Sequence, residues 1–204
     1  MSDNRGPDHS RRRARSREAI LEATRALVAD EPYGKVTMEA IAARAGVGKQ
    51  TIYRRWSSKS AVVFAAVLDL SEGVDGQAVE LPDTGDLEAD LKTVLRATVD
   101  EFADPSFDRL IRAVNAEVVN DAELAAEYRD KLAQPLDEAK KARLRSAQRD
   151  GQLDPDADLD VVLEFLYAPL FQRWLHRSGP LTVDYADQLV DATLRAFGPG
   201  RRSG

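Results

Sequence analysis

Residues Thr37 to Lys59 read TMEAIAARAGVGKQTIYRRWSSK, which parses as two short helices joined by a tight glycine turn. Thr37 is suited to cap the first helix, its hydroxyl accepting from an early backbone N–H. Glu39 falls in the first turn, where negative charge is favoured. Met38, Ile41, Ala42 and Ala45 recur at helical spacing and form one small apolar face. Gly46 can take the left-handed conformation that ends a helix, with Val47 filling the corner. The second helix is predicted from about Gly48 to Trp56, with Ile52 and Trp56, four apart, facing inward. Lys49, Gln50, Thr51, Tyr53, Arg54 and Arg55 are left on the other faces. Tyr53 is a core residue on the alternative reading, but Ile52 and Trp56 already occupy the inward face. A short basic helix presented this way has the shape to enter the major groove of DNA.

Working outward, a first helix is predicted from near Ser16 to Asp30, with Ile20, Thr24, Leu27 and Val28 on one face. It braces the two helices that follow. Ahead of it, Met1 to Arg15 is polar, contains RRRAR, and is expected to be disordered. Such an arm either reaches phosphate or the minor groove or merely aids solubility. A fourth helix starts at Ser58 and runs through Val62, Val63 and Val67 to about Ser71.

This stretch resembles the DNA-binding domain of the TetR family of bacterial transcriptional regulators. The resemblance rests on Thr37, Ile41, Ala42, Ala45, Gly46, Val47, Thr51, Tyr53, Trp56 and Lys59, which match the family pattern without a gap. It covers roughly Arg15 to Leu68. One departure is Gly48, where the family often has serine; glycine is a tolerable cap, costing a few tenths of a kcal/mol. The resemblance implies that Thr37, Tyr53 and Lys59 hold phosphates. It also implies that Lys49, Gln50, Thr51, Arg54 and Arg55 reach base edges or nearby phosphates.

Beyond the loop Gly73 to Gly85 the chain reads as helix throughout, with no convincing strand alternation. Asp86 to Ala103 carries Leu87, Leu91, Val94, Leu95, Thr98 and Phe102 on an amphipathic pattern. Phe107 to Val119 and Leu124 to Ala133 follow, and Pro135 either kinks the latter or opens a new helix. That helix continues to Asp150, with Gly151 as its stop and Leu153 as the contact beyond it. Leu159 to Leu175 is apolar nearly all round, so it must be buried on more than one side. Tyr185 to Phe197 offers Leu189, Val190, Ala192 and Leu194 for packing. The family resemblance implies that the last two helices, about 157–177 and 182–197, pair with their copies in a homodimer. A monomer with a well-packed central helix is the other reading.

The expected fold is therefore all-α, with about nine helices. It comprises a basic arm (1–15), a three-helix helix-turn-helix domain (16–71, motif 37–56), a ligand-binding and dimerisation domain (72–198) and a short tail (199–204). Charge divides along the same line. The whole chain carries −6, yet residues 11–60 carry +7 and residues 61–204 carry −12. A basic end on an acidic body suits one end that meets phosphate and another that repels it.

The absence of cysteine excludes disulfides and thiol catalysis. The longest apolar run, Ala61 to Leu68, is too short to cross a membrane, and the N-terminus lacks the apolar core of a secretory signal; a cytoplasmic location is expected. His9 and His176 have no nucleophile or carboxylate partner by sequence, and no glycine loop cradles phosphate. Asp154, Asp156, Asp158 and Asp160 lack the spacing and glycine of a calcium loop. The chain is not expected to be an enzyme or to need a cofactor. The expected partners are a double-stranded DNA operator, a second copy of the chain and a small apolar or aromatic effector. Phe102, Phe107, Tyr128, Phe165, Tyr167, Phe171 and Trp174 are the candidates to line its chamber, since such sites are mostly apolar. The alternative function is a helical small-molecule-binding or adaptor module without operator-specific DNA binding.

Overall fold

The computed structural model describes residues 7–71 and 81–200. Residues 1–6 of the expected arm (1–15), residues 73–80 of the expected loop (73–85) and residues 201–204 of the expected tail (199–204) lie outside the described residues, as does residue 72. The ordered elements are α1 (Pro7–Asp30), α2 (Met38–Arg44), α3 (Lys49–Tyr53), α4 (Lys59–Ser71), α5 (Leu87–Ala103), α6 (Pro105–Val118), α7 (Ala122–Tyr128), α8 (Gln134–Arg149), α9 (Leu159–His176) and α10 (Val183–Phe197). A π-helical turn at Arg129–Ala133 joins α7 to α8 without a break. Counted as one run, these give nine helices among the described residues, as expected.

The first correction concerns α1, which begins at Pro7 rather than Ser16. Proline at a helix start loses no hydrogen bond and presets φ, and arginine and alanine are good helix formers. The run Arg11 to Arg15 therefore extends the amphipathic helix behind it instead of staying coil. Pro105 plays the same opening role for α6, two residues earlier than the expected start at Phe107.

The chain divides into two units. The N-terminal unit joins α1 to α4 with α6 and α7. Ile20, Leu21, Thr24, Leu27 and Val28 of α1 are buried in it with Ile41, Ile52, Val62, Val63 and Val67. The hydroxyl of Thr24 donates to the Ile20 carbonyl (2.7 Å), which lets a polar side chain sit in this core. Leu110, Ala113 and Val114 of α6 and Leu124 of α7 are buried in the same unit. Residues 105–128 thus pack with the N-terminal helices, whereas the sequence reading grouped them with 72–198.

The second unit contains α5 and α8 to α10. Leu87, Leu91, Leu95 and Val99 descend one face of α5 and meet Leu144, Ala147, Val162, Leu166, Leu170, Ala186 and Val190. Gly151, at φ +71°, ends α8. The N–H of Gln152 reaches back to the Ala147 carbonyl, and Leu153 beyond it is fully buried. Arg96 forks onto Asp187, with Nε and Nη2 donating at 2.8 and 2.6 Å, and so ties α5 to α10.

Candidate nucleic-acid interface

The turn between α2 and α3 is built as the sequence predicts. Thr37 accepts from the Ala40 N–H at 3.1 Å and so caps α2. Gly46 adopts φ +65°. Its N–H donates to the Ala43 carbonyl and the Val47 N–H to the Ala42 carbonyl, at 3.1 and 3.0 Å. These two bonds satisfy the carbonyls left open at the end of α2. Gly48 opens α3 without a side-chain cap.

The regular part of α3 stops at Tyr53, earlier than the expected Trp56. Helical bonds nevertheless persist, because the N–H groups of Arg54 and Trp56 donate to the carbonyls of Gln50 and Ile52. Ile52 is fully buried, whereas Tyr53 is 48% exposed. Lys49, Gln50, Arg54 and Arg55 are exposed, Thr51 and Trp56 half-buried. The recognition helix therefore anchors through Ile52 and presents its polar residues outward. Tyr53 is not a core residue.

Several of the expected contact residues already have partners. The Tyr53 hydroxyl donates to Glu39 Oε1 at 3.1 Å, and Lys49 Nζ lies 3.7 Å from the same oxygen. Glu39 is held below the usual carboxylate range, first by its own backbone N–H and then by Tyr53 and Lys49. The Tyr53 phenol is raised, first by its hydrogen bond to Glu39. Lys59 donates to the Tyr33 carbonyl at 3.0 Å, and its ammonium sits 3.8 Å from the centre of the Tyr33 ring.

The α1 extension adds a feature that sequence periodicity did not reveal. Arg55 Nη1 donates to the Arg13 carbonyl at 3.2 Å and its guanidinium lies 5.6 Å from the Trp56 ring. Arg55 is more acidic than an ordinary arginine, first because it is partly buried and then because Arg17, Arg13 and Arg54 surround it. A cluster of mutually repelling guanidiniums at one surface is suited to a polyanion. The RRRAR motif is the sequence signal for this cluster, but coil was the wrong conformation for it.

In the second unit, Phe102 stacks on Trp174 with ring centres 4.5 Å apart, and Phe171 lies 5.2 Å from Trp174. Tyr167 packs against this unit's core. Its hydroxyl is buried without a hydrogen-bond partner among the described residues. Phe165 points the other way, half-exposed, with its ring edge-on to Phe197 at 5.2 Å. Phe107 and Tyr128 belong to the N-terminal unit, where Tyr128 meets Phe64 at 5.9 Å. The seven aromatics are thus distributed over both units.

Comparison with known proteins bears on the whole chain. Residues 20–66 match the family described as bacterial regulatory proteins, tetR family. Residues 81–193 match the tetracyclin repressor-like C-terminal domain. The chain is 32% identical over 197 residues to the DNA-binding transcriptional repressor TetR of Mycobacteroides abscessus, covering 95% of this chain and 99% of that one. It is 31% identical over 174 residues, 85% of each chain, to the transcriptional regulator YdeS of Bacillus subtilis. Among solved structures, the TetR family transcription regulator SCO0332 superposes with a TM-score of 0.73 at 29% identity, over 90% of this chain and 99% of that one. These relatives are transcriptional regulators rather than enzymes. With both halves of the chain matched and the helix-turn-helix presenting its basic residues outward, this protein belongs to the TetR family of DNA-binding transcriptional regulators.

Proposed function

We propose that this regulator is a repressor that binds a palindromic operator as a homodimer and is released by a small apolar or aromatic molecule. The observation that carries the reading is the two-sidedness of α9. Val162, Leu163, Leu166, Leu170 and Trp174 are buried on one side, while Val161 and Phe165 stand on the other, 37% and 52% exposed. An exposed apolar stripe on a helix this hydrophobic marks a protein contact, and a second copy of the same helix fits it. Two-fold pairing sets two recognition helices for successive major grooves of a palindrome.

Thr37, Tyr53 and Lys59 contact phosphates in this reading, and Lys49, Gln50, Thr51, Arg54 and Arg55 reach bases or neighbouring phosphates. The effector binds against the aromatic side chains, of which Phe102, Phe171 and Trp174 are in mutual ring contact and Tyr167 packs against the same core. Repression draws support from the relative in Mycobacteroides abscessus, which is a repressor by name. The fold also matches that of SmeT in its triclosan complex, at 22% identity and a TM-score of 0.64, so this architecture can accept a small aromatic compound. A regulator of this kind acts where the chromosome lies, in the cytoplasm, and no helix among the described residues is long and apolar enough to cross a membrane.

The test is Phe165→Glu, read by sedimentation and by binding to genomic fragments that the unaltered protein selects. A monomer that no longer selects those fragments is the expected result. A variant that stays dimeric places the interface elsewhere, and a monomer with unchanged operator affinity overturns the two-fold mechanism.

A further inference from the structure

Glu39 is an acidic residue beside the basic and polar side chains that α3 presents outward. Its helix position explains only part of its presence: a carboxylate in the first turn of α2 is favoured by the helix dipole, but its oxygen is directed to two residues of α3. The Tyr53 hydroxyl and the Lys49 ammonium converge on the same atom, Oε1, at 3.1 and 3.7 Å. A carboxylate oxygen receiving a hydroxyl and an ammonium has the same partners that a phosphate oxygen would have.

We propose that Glu39 is an internal substitute for phosphate, which Tyr53 and Lys49 must leave before they can grip DNA. The inference rests on the reading of Tyr53 as a phosphate contact and takes, of the two roles open to Lys49, the contact to a neighbouring phosphate. Two consequences follow from charge alone. The free protein is held in one defined arrangement of α2 and α3 side chains, so the grip is pre-shaped. In the complex the displaced carboxylate stays beside a phosphate and repels it. That repulsion acts on every DNA sequence alike and lowers affinity for operator and random DNA by the same factor. On an operator the base contacts outweigh it. Glu39 thus sets the absolute affinity: it weakens resting on the abundant wrong sites, where backbone contacts supply nearly all the binding, while base contacts still hold the regulator on its operator.

The test uses the full chain and Glu39→Gln, which keeps an acceptor for Tyr53 and removes only the charge. Affinity is measured by fluorescence anisotropy for a random-sequence duplex and for a genomic fragment selected by the protein, at several salt concentrations. Binding to the random duplex and to the selected fragment should each tighten roughly fivefold per half-site, the factor for two like charges about 4 Å apart in water, with their ratio unchanged. Unchanged or weaker binding to the random duplex overturns the proposal. So does a selective loss on the operator, which would make Glu39 a reader of cytosine. Tyr53→Phe and Lys49→Ala separate this failure from that of the underlying reading. If either weakens random binding while Glu39→Gln gains nothing, the contacts stand and the substitute role falls. If neither changes DNA binding, the contacts fall and the proposal with them.

Discussion

Arg143 of α8 donates through Nη2 to Asp90 of α5 at 2.7 Å, and both side chains are almost completely buried. Thr84 completes the arrangement, its N–H and hydroxyl donating to the two Asp90 oxygens at 3.1 and 2.7 Å. Removing one member leaves an unpaired buried charge. Arg143→Leu is expected to destabilise the protein by about 3–5 kcal/mol in urea denaturation, whereas replacing both residues with leucine-like side chains should cost far less.

The same pair fixes a pH dependence. Burial pushes the Asp90 carboxyl up, but the hydrogen bonds from Thr84 and Arg143 outweigh it and hold the carboxyl below its usual value. A depressed folded value means that stability is present above the unfolded value, about 3.9, and is lost as pH falls through the folded one. Thermal midpoints should therefore drop on acidification below about pH 4. Asp90→Asn should be less stable at neutral pH and show a shallower acid loss; an equal slope in both proteins would assign the acid sensitivity to other carboxylates.

Lys59→Ala is expected to weaken operator and random DNA about equally and to lower the slope of log affinity against log salt by about one for each lost contact per half-site. Because Lys59 also holds the Tyr33 carbonyl, the thermal midpoint should be recorded in parallel. A changed sequence preference with the slope intact would contradict a positioning role.

Arg54→Ala or Arg55→Ala should cost roughly 1–3 kcal/mol per half-site and relax preference at one symmetric base pair. Arg55 is tethered to Arg13 and packed by Trp56. Selection from randomised operators measures the effect, and unchanged preference in both variants would move both arginines to the phosphates.

Ligand coupling is reciprocal. If the effector releases DNA, operator DNA must weaken effector binding by the same factor, typically about 5–150-fold. Trp174, stacked on Phe102, reports this by fluorescence once Trp56 is replaced by phenylalanine. Equal effector affinity with and without operator would defeat the mechanism. Tyr167→Phe removes a buried hydroxyl that has no hydrogen-bond partner among the described residues. Its stability should be unchanged or higher by up to about 1–3 kcal/mol, and any loss of effector affinity identifies the hydroxyl as a ligand contact.

Arg177, which follows α9, is held at φ +51°, and the Ser178 N–H closes the helix end onto the Arg173 carbonyl at 3.2 Å. Glycine adopts this left-handed conformation without strain. Arg177→Gly should raise stability by about 1 kcal/mol in thermal denaturation.

What could be read from the sequence was local. Thr37, Gly46 and Ile52 declare the helix-turn-helix because a cap, a left-handed residue and an inward anchor each depend on neighbours within a turn or two. The outward direction of Tyr53 followed from the same periodicity. Its grip on Glu39, fourteen residues away, did not, because it needs the crossing of α2 and α3. Asp90 near the start of α5 looks like any solvated helix-start acid until Arg143, fifty-three residues on, is placed against it. Polar composition suggested coil for residues 7–15, but helix propagates readily from a packed segment at little cost per residue. The aromatics were legible as apolar but not as neighbours, and Phe165 separates from Phe171 only because helical spacing turns them to different sides.

The packing of α6 and α7 with the N-terminal helices limits how this regulator can be recombined. Leu110, Ala113, Val114 and Leu124 are buried among side chains of the DNA-reading unit, and Tyr128 covers Phe64. A fragment ending at Ser71 would leave Phe64 and its neighbours bare to water and prone to aggregate. One splice near residue 72 therefore cannot exchange the second unit of this protein for another; a chimera would have to carry Pro105–Tyr128 along with the N-terminal helices. New operator specificity is more safely introduced by substituting exposed residues of α3 than by transplanting the first third of the chain.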